Sequence, residues 1–177
     1  MSKLGVCVGI AAMLAAAVAA GCGDSSSSTE TVTTTAGANE RLTTAQWEEY
    51  QTSGTALKEA NVAATATLAK CSATSGFQDS ADLQACVGDT FTTLATATGD
   101  TYDTVEGFQD TVSGACATAL AAYLNNLGTF RASAAQMQTT IDSATLAGYP
   151  AASQDLQVSL TSGKSEAETF EQDCAPV

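Results

Sequence analysis

Between Met1 and Tyr149 the chain contains no proline, and alanine recurs throughout this stretch. Proline stops helices by removing a backbone donor and clashing with the preceding turn, while alanine is the residue helices tolerate best. A chain so written is committed to long helices, and its apolar spacing says the same. Trp47, Tyr50, Gly54, Leu57, Asn61, Ala64, Leu68 and Cys71 follow one another at alternating intervals of three and four, the seam of a helix. Thr43 and Gln46 stand where a capping box would open it, hydroxyl and amide each meeting a free backbone donor.

The same reading places a second helix over residues 80–98, capped by Asp79, with Leu83, Val87, Phe91 and Leu94 buried. Gly99 and Asp100 are expected to break it. A third follows over 101–127 on Val105, Phe108, Val112, Cys116, Leu120, Tyr123 and Leu127, closed by Gly128 in the left-handed conformation. A fourth carries Phe130, Ala134, Met137 and Ile141 and stops at Gly148. Pro150 opens a fifth along Leu156, Leu160, Gly163, Ala167, Phe170 and Cys174. Short connections make sequential helices antiparallel. The expected fold is therefore all-α, an antiparallel bundle of four or five helices over residues 42–177.

The seams of this bundle are thin. Alanine, glycine and threonine let helices approach closely but each buries little apolar area, and threonine loses rotamer freedom in a helix. Such a core gains from cross-links, and four cysteines are available: Cys71, Cys86, Cys116 and Cys174. Two disulfides would contribute about 2–4 kcal/mol each in an oxidising compartment. If the turn falls at residues 99–100, Cys86 and Cys116 reach similar heights. That favours Cys86–Cys116 with Cys71–Cys174; the rival is Cys71–Cys86 with Cys116–Cys174.

The compartment is indicated at the N-terminus. Lys3 makes a basic start, and Leu4 to Ala20 follow without a charge, 17 residues rich in Ala, Val and Leu. Ala19-Ala20-Gly21-Cys22 ends the run, and Gly23, Asp24 and four serines change the composition at once. A basic tip, an apolar segment and small residues before a cut site form an export signal. The segment is short for a membrane span. The four residues ending in Cys22 resemble the lipobox of bacterial lipoproteins. That resemblance covers residues 1–22 only. It implies that the signal of residues 1–21 is removed, that Cys22 carries a diacylglycerol, and that the chain is held on the extracytoplasmic side of a membrane. Two acyl chains bury enough methylenes to anchor a soluble domain. Cys7, inside the apolar run, leaves with the signal. Lipoproteins retained at a Gram-negative inner membrane often carry Asp after the lipidated Cys; here that position is Gly23.

Residues 22–41 read as a lipidated cysteine and a Ser/Thr-rich stem, with Ser25 to Ser28 and Thr31 to Thr35 giving nothing to bury. Its reach is on the order of 25 Å. The mature chain has five basic against 19 acidic residues, a net charge of −14. That speaks against nucleic acid and against anionic headgroups, both of which select clustered Lys and Arg.

The chain has no histidine. This removes Ser-His and Cys-His catalysis and most transition-metal sites, and no C-x-x-C pair compensates. Two acidic groups remain. Asp100, Asp103, Glu106 and Asp110 would lie near the start of the third helix, where the helix dipole welcomes negative charge; Glu166, Glu168, Glu171 and Asp173 would lie at a helix C-terminus, where it does not. The first reads as a solvated face and not a calcium loop, the second as the better candidate for a charged contact. Trp47 reads as a core residue with Tyr50 and Leu57, and Ser162-Gly163-Lys164 lacks the Gly-rich segment of a phosphate loop. No catalytic, metal or cofactor-binding residue is expected. The expected role is that of a non-enzymatic envelope module with a membrane contact through its lipid and an envelope protein as partner. The alternative is a carrier holding a small apolar ligand between its helices.

Overall fold

Five α-helices and one short 3-10 turn make up the regular structure of the computed structural model, which describes residues 40–75, 80–143 and 147–177. The expected signal, Cys22, the expected stem up to residue 39 and Asp79 lie outside the described residues. The helices are α1 (Thr44–Ser75), α2 (Ser80–Val87), α3 (Thr90–Glu106), α4 (Gly114–Asp142) and α5 (Tyr149–Cys174), with the 3-10 turn at Gln109–Thr111. α2 and α3 form one broken arm. Four arms thus run as an antiparallel bundle in which α1 packs on α3, α3 on α4 and α4 on α5, as the uninterrupted helical sequence leads one to expect.

Local signals explain the outer helix ends. Thr43 and Gln46 make the capping box: the Thr43 amide donates to Gln46 Oε1 (3.0 Å) and the Gln46 amide to Thr43 Oγ1 (3.3 Å). Pro150 occupies the first turn of α5, where a missing amide costs nothing. The buried positions match the seams read from the sequence, among them Tyr50, Leu68, Leu83, Phe91, Leu94, Val105, Leu120, Met137, Ile141, Leu156 and Phe170.

Threonine enters the core by satisfying itself. Thr98 and Thr101 are wholly buried; Thr98 Oγ1 donates to Leu94 O (2.7 Å), and Thr101 Oγ1 lies 3.0 Å from Ala97 O and 3.2 Å from Ser53 O. A buried hydroxyl without such a partner would cost roughly 1–3 kcal/mol. Among the described residues no buried side-chain nitrogen or oxygen is left without a hydrogen bond.

The inner helix boundaries differ from the sequence expectation. Gly99 and Asp100 lie inside α3 and Gly128 lies inside α4. The chain breaks instead at Gly88, with φ +53°, and turns between Gly107 and Gly114, the latter with φ +60°. Both backbones are left-handed, a region glycine enters at little cost. At Gly99 a neighbour uses the space the missing side chain leaves, for Arg131 lies close over it; at Gly128 a Cβ would find only ordinary contact with Tyr102.

These boundaries reverse the favoured disulfide pairing. The bonds are Cys71–Cys86 (S–S 2.08 Å) and Cys116–Cys174 (2.02 Å). With α3 unbroken to Glu106, its 17 residues separate Cys86 from the α3–α4 turn by about 25 Å. Cys86 and Cys116 therefore sit at opposite ends of the bundle. Cys71, near the end of α1, meets the adjoining α2 instead.

Candidate functional site

One end of the bundle gathers the segment before α1, the end of α5 and many of the acidic side chains. Leu42 donates its amide to Cys174 O (3.1 Å), and Arg41 Nη1 donates to Gln172 O (3.1 Å) and Ala175 O (2.9 Å), capping the C-terminus of α5. Gln46 Nε2 donates to Thr111 Oγ1 (2.8 Å), which brings the α3–α4 turn to the same place. The Cys116–Cys174 bond adds the start of α4.

An aromatic cluster fills this end. Tyr50 from α1 meets Phe170 from α5 edge to face, with centroids 5.0 Å apart, and Tyr123 from α4 at 6.1 Å; Tyr123 stacks on Phe170 at 5.2 Å. Trp47, expected in the core, is only partly buried and leans on Tyr50 from the rim at 5.2 Å. The rings pack on one another and on Cys116 and Cys174, leaving no aromatic cage.

The Tyr50 hydroxyl donates to Glu171 Oε1 at 3.1 Å. Burial, reinforced by the nearby Tyr123 and Glu171, holds the Tyr50 phenol far above its ordinary value; burial pushes Tyr123 up to about 12. Both are therefore neutral hydrogen-bonding groups at any physiological pH.

Both acidic clusters come to this end. Asp100, Asp103 and Glu106 lie in the last two turns of α3 and Asp110 in the 3-10 turn, not at a helix start as expected. The boundary moved, so the dipole that was to favour these charges opposes them. Glu166, Glu168, Glu171 and Asp173 lie at the C-terminal end of α5, as anticipated. Segments 40–50, 103–113 and 164–177, which meet here, hold ten acidic side chains against two basic ones, Arg41 and Lys164. Among the described residues, no three carboxylate, cysteine or histidine side chains converge closely enough to hold a metal ion.

Ser162, Gly163 and Lys164 lie mid-way along α5, where no phosphate loop can form. Lys164 pairs with Glu168 at 3.8 Å, one turn on and exposed, a contact of small energetic value. The described residues include two shallow surface depressions. One of 480 Å³ runs between α3 and α4 past Tyr102, Leu124, Gly128 and Ala132, and one of 410 Å³ lies along Val158 and Thr161 on α5. Both are open to solvent.

Sequence reasoning missed two buried amides. Gln138 on α4 accepts from the Phe91 amide (3.2 Å) and donates to Gly88 O (3.0 Å), so it caps both sides of the α2–α3 break. Asn126 on α4 donates to Ser159 O on α5 (3.3 Å). Each interrupts an otherwise apolar seam, which was the one available signal. No family model matches the chain, and no match to it is found among curated proteins or solved structures.

Proposed function

We propose that this chain is a lipid-anchored protein of the bacterial cell envelope whose helical bundle serves as a non-enzymatic interaction or structural module. The observation that carries the reading is Cys22, placed directly after Ala19-Ala20-Gly21 at the end of an uncharged segment. Cysteine usage supports export, since all four cysteines of the bundle are spent in disulfides. The acidic end supports a domain held by acyl chains and not by charge, because it would repel anionic headgroups.

The absence of histidine supports a module without catalysis. The depressions along α5 and between α3 and α4 are open to solvent, which suits surface contacts. The test is Cys22→Ser expressed in a bacterial host, followed by fractionation. The variant should leave the membrane fraction for the soluble one, and unchanged fractionation overturns the anchor. Native mass spectrometry of the lipidated chain tests the rest. A second protein in the complex supports the module; a bound small molecule replaces it with the carrier.

A further inference from the structure

We infer that Cys71–Cys86 is a reducible latch on α2, whereas Cys116–Cys174 is a fixed part of the core; the inference stands whether or not Cys22 carries a lipid. The two bonds differ in their surroundings. Cys116 and Cys174 are both fully buried in the aromatic cluster, and Leu42 and Arg41, ahead of α1, bond over the end of α5 beside them. A thiolate reaches those sulfurs only after the end of the bundle has opened. Cys86 is partly exposed, on a helix of eight residues. Thiol–disulfide exchange depends on access to the attacked sulfur, so exchange starts at Cys86.

The helix that carries Cys86 depends on its neighbours. Eight residues are too few for a stable isolated helix. α2 leans chiefly on α1, to which the bond ties it, and less on α4. It ends at Gly88, whose left-handed backbone separates it from α3. The 15-residue span from Cys71 to Cys86 closes one small loop at the end of the bundle opposite Cys174. Opening it frees α2 to leave α1 and uncovers Leu83 and Val87, both buried in the closed form.

The chemistry needs a dithiol reductant. One of its thiolates bonds to Cys86 Sγ, the Cys71–Cys86 bond breaks, and Cys71 leaves as a thiolate that takes a proton from water. The second reductant thiol then attacks its own partner sulfur, forms the oxidised reductant and expels the Cys86 thiolate, which is protonated in turn. Two electrons pass to the protein.

The test treats the mature, oxidised chain with graded dithiothreitol, traps free thiols with iodoacetamide and maps them by peptide mass, with amide hydrogen exchange on the same samples. Cys71 and Cys86 should be alkylated at a dithiothreitol concentration about ten-fold lower than Cys116 and Cys174. Protection should fall in α2 and the adjoining end of α1 while α4 and α5 keep theirs. Joint release of all four thiols, earlier release of Cys116 and Cys174, unchanged protection in α2, or loss spreading through α4 and α5 each overturns the latch. The Cys71→Ser, Cys86→Ser double variant should retain the near-ultraviolet signal of the aromatic cluster and the protection of α4 and α5. If it loses them, the bond is structural and the inference fails.

Discussion

Asn126 on α4 occupies the space that Gly163 on α5 leaves open: a Cβ on Gly163 would lie 2.6 Å from Asn126 Oδ1. The amide cannot simply turn away, because its nitrogen donates to Ser159 O one turn earlier on α5. Ser133 and Ser159 add a hydroxyl contact at 3.2 Å in the same seam. Small residues on α5 thus let a buried polar side chain join the two helices, where an apolar seam would use leucine.

Gly163→Ala should therefore destabilise the bundle although it improves helix propensity. The propensity gain is about 1 kcal/mol, while displacing Asn126 leaves buried polar groups unpaired at about 1–3 kcal/mol. In an Asn126→Ala background the same substitution should stabilise. Urea denaturation of the four proteins of this cycle measures both signs. Gly128→Ala is the comparison: its new Cβ would meet Tyr102 Cε2 at an ordinary 3.8 Å, so stability should rise by up to about 1 kcal/mol. Equal effects at the two glycines would contradict the packing argument.

Gln138→Ala should cost about 2–4 kcal/mol, because it strands the Phe91 amide and Gly88 carbonyl that the side chain satisfies. Neighbouring Gln136 is exposed, and Gln136→Ala should change stability by less than about 0.5 kcal/mol. Thermal or urea unfolding distinguishes them. A loss at Gln138 no larger than at Gln136 would mean that the α2–α3 break is held by something other than this amide.

Stability should fall as pH rises above about 10. Tyr50 and Tyr123 have folded-state values raised above the ordinary phenol value by burial. Below about 10 both forms of the chain hold these protons, and the contribution is fully present. Above it the unfolded chain releases them first, which favours unfolding with a slope approaching about 1.4 kcal/mol per pH unit for each tyrosine. For Tyr123 the loss is complete near 12. Tyr149, raised by burial, acts in the same direction. Denaturation at pH 9, 10 and 11 should show the decline, and Tyr123→Phe should make it shallower. A flat profile over that range would rule the mechanism out.

Much of the bundle was legible in the sequence because helix formation and seam burial are local properties. The three-and-four spacing named the buried faces, Thr43 and Gln46 marked the start of α1, and Pro150 marked the start of α5. Glycine was read less well. The breaks expected at Gly99 and Gly128 fell at Gly88 and Gly114, since a glycine stops a helix only where the rest of the fold asks for a left-handed turn.

What the sequence determined by itself is the set of helical faces, the number of cysteines available for bonding, the lack of histidine chemistry and the strong negative charge. Only the tertiary structure decided where the helices turn, and with that which cysteines meet and that both acidic clusters share one end with Leu42 and Cys174. The reason is geometric. Each residue by which a turn is displaced lengthens one helix and shortens the other, shifting their register by two residues, about 3 Å. Moving the turn from residues 99–100 to Gly107–Gly114 therefore carries Cys116 to the other end of the bundle from Cys86.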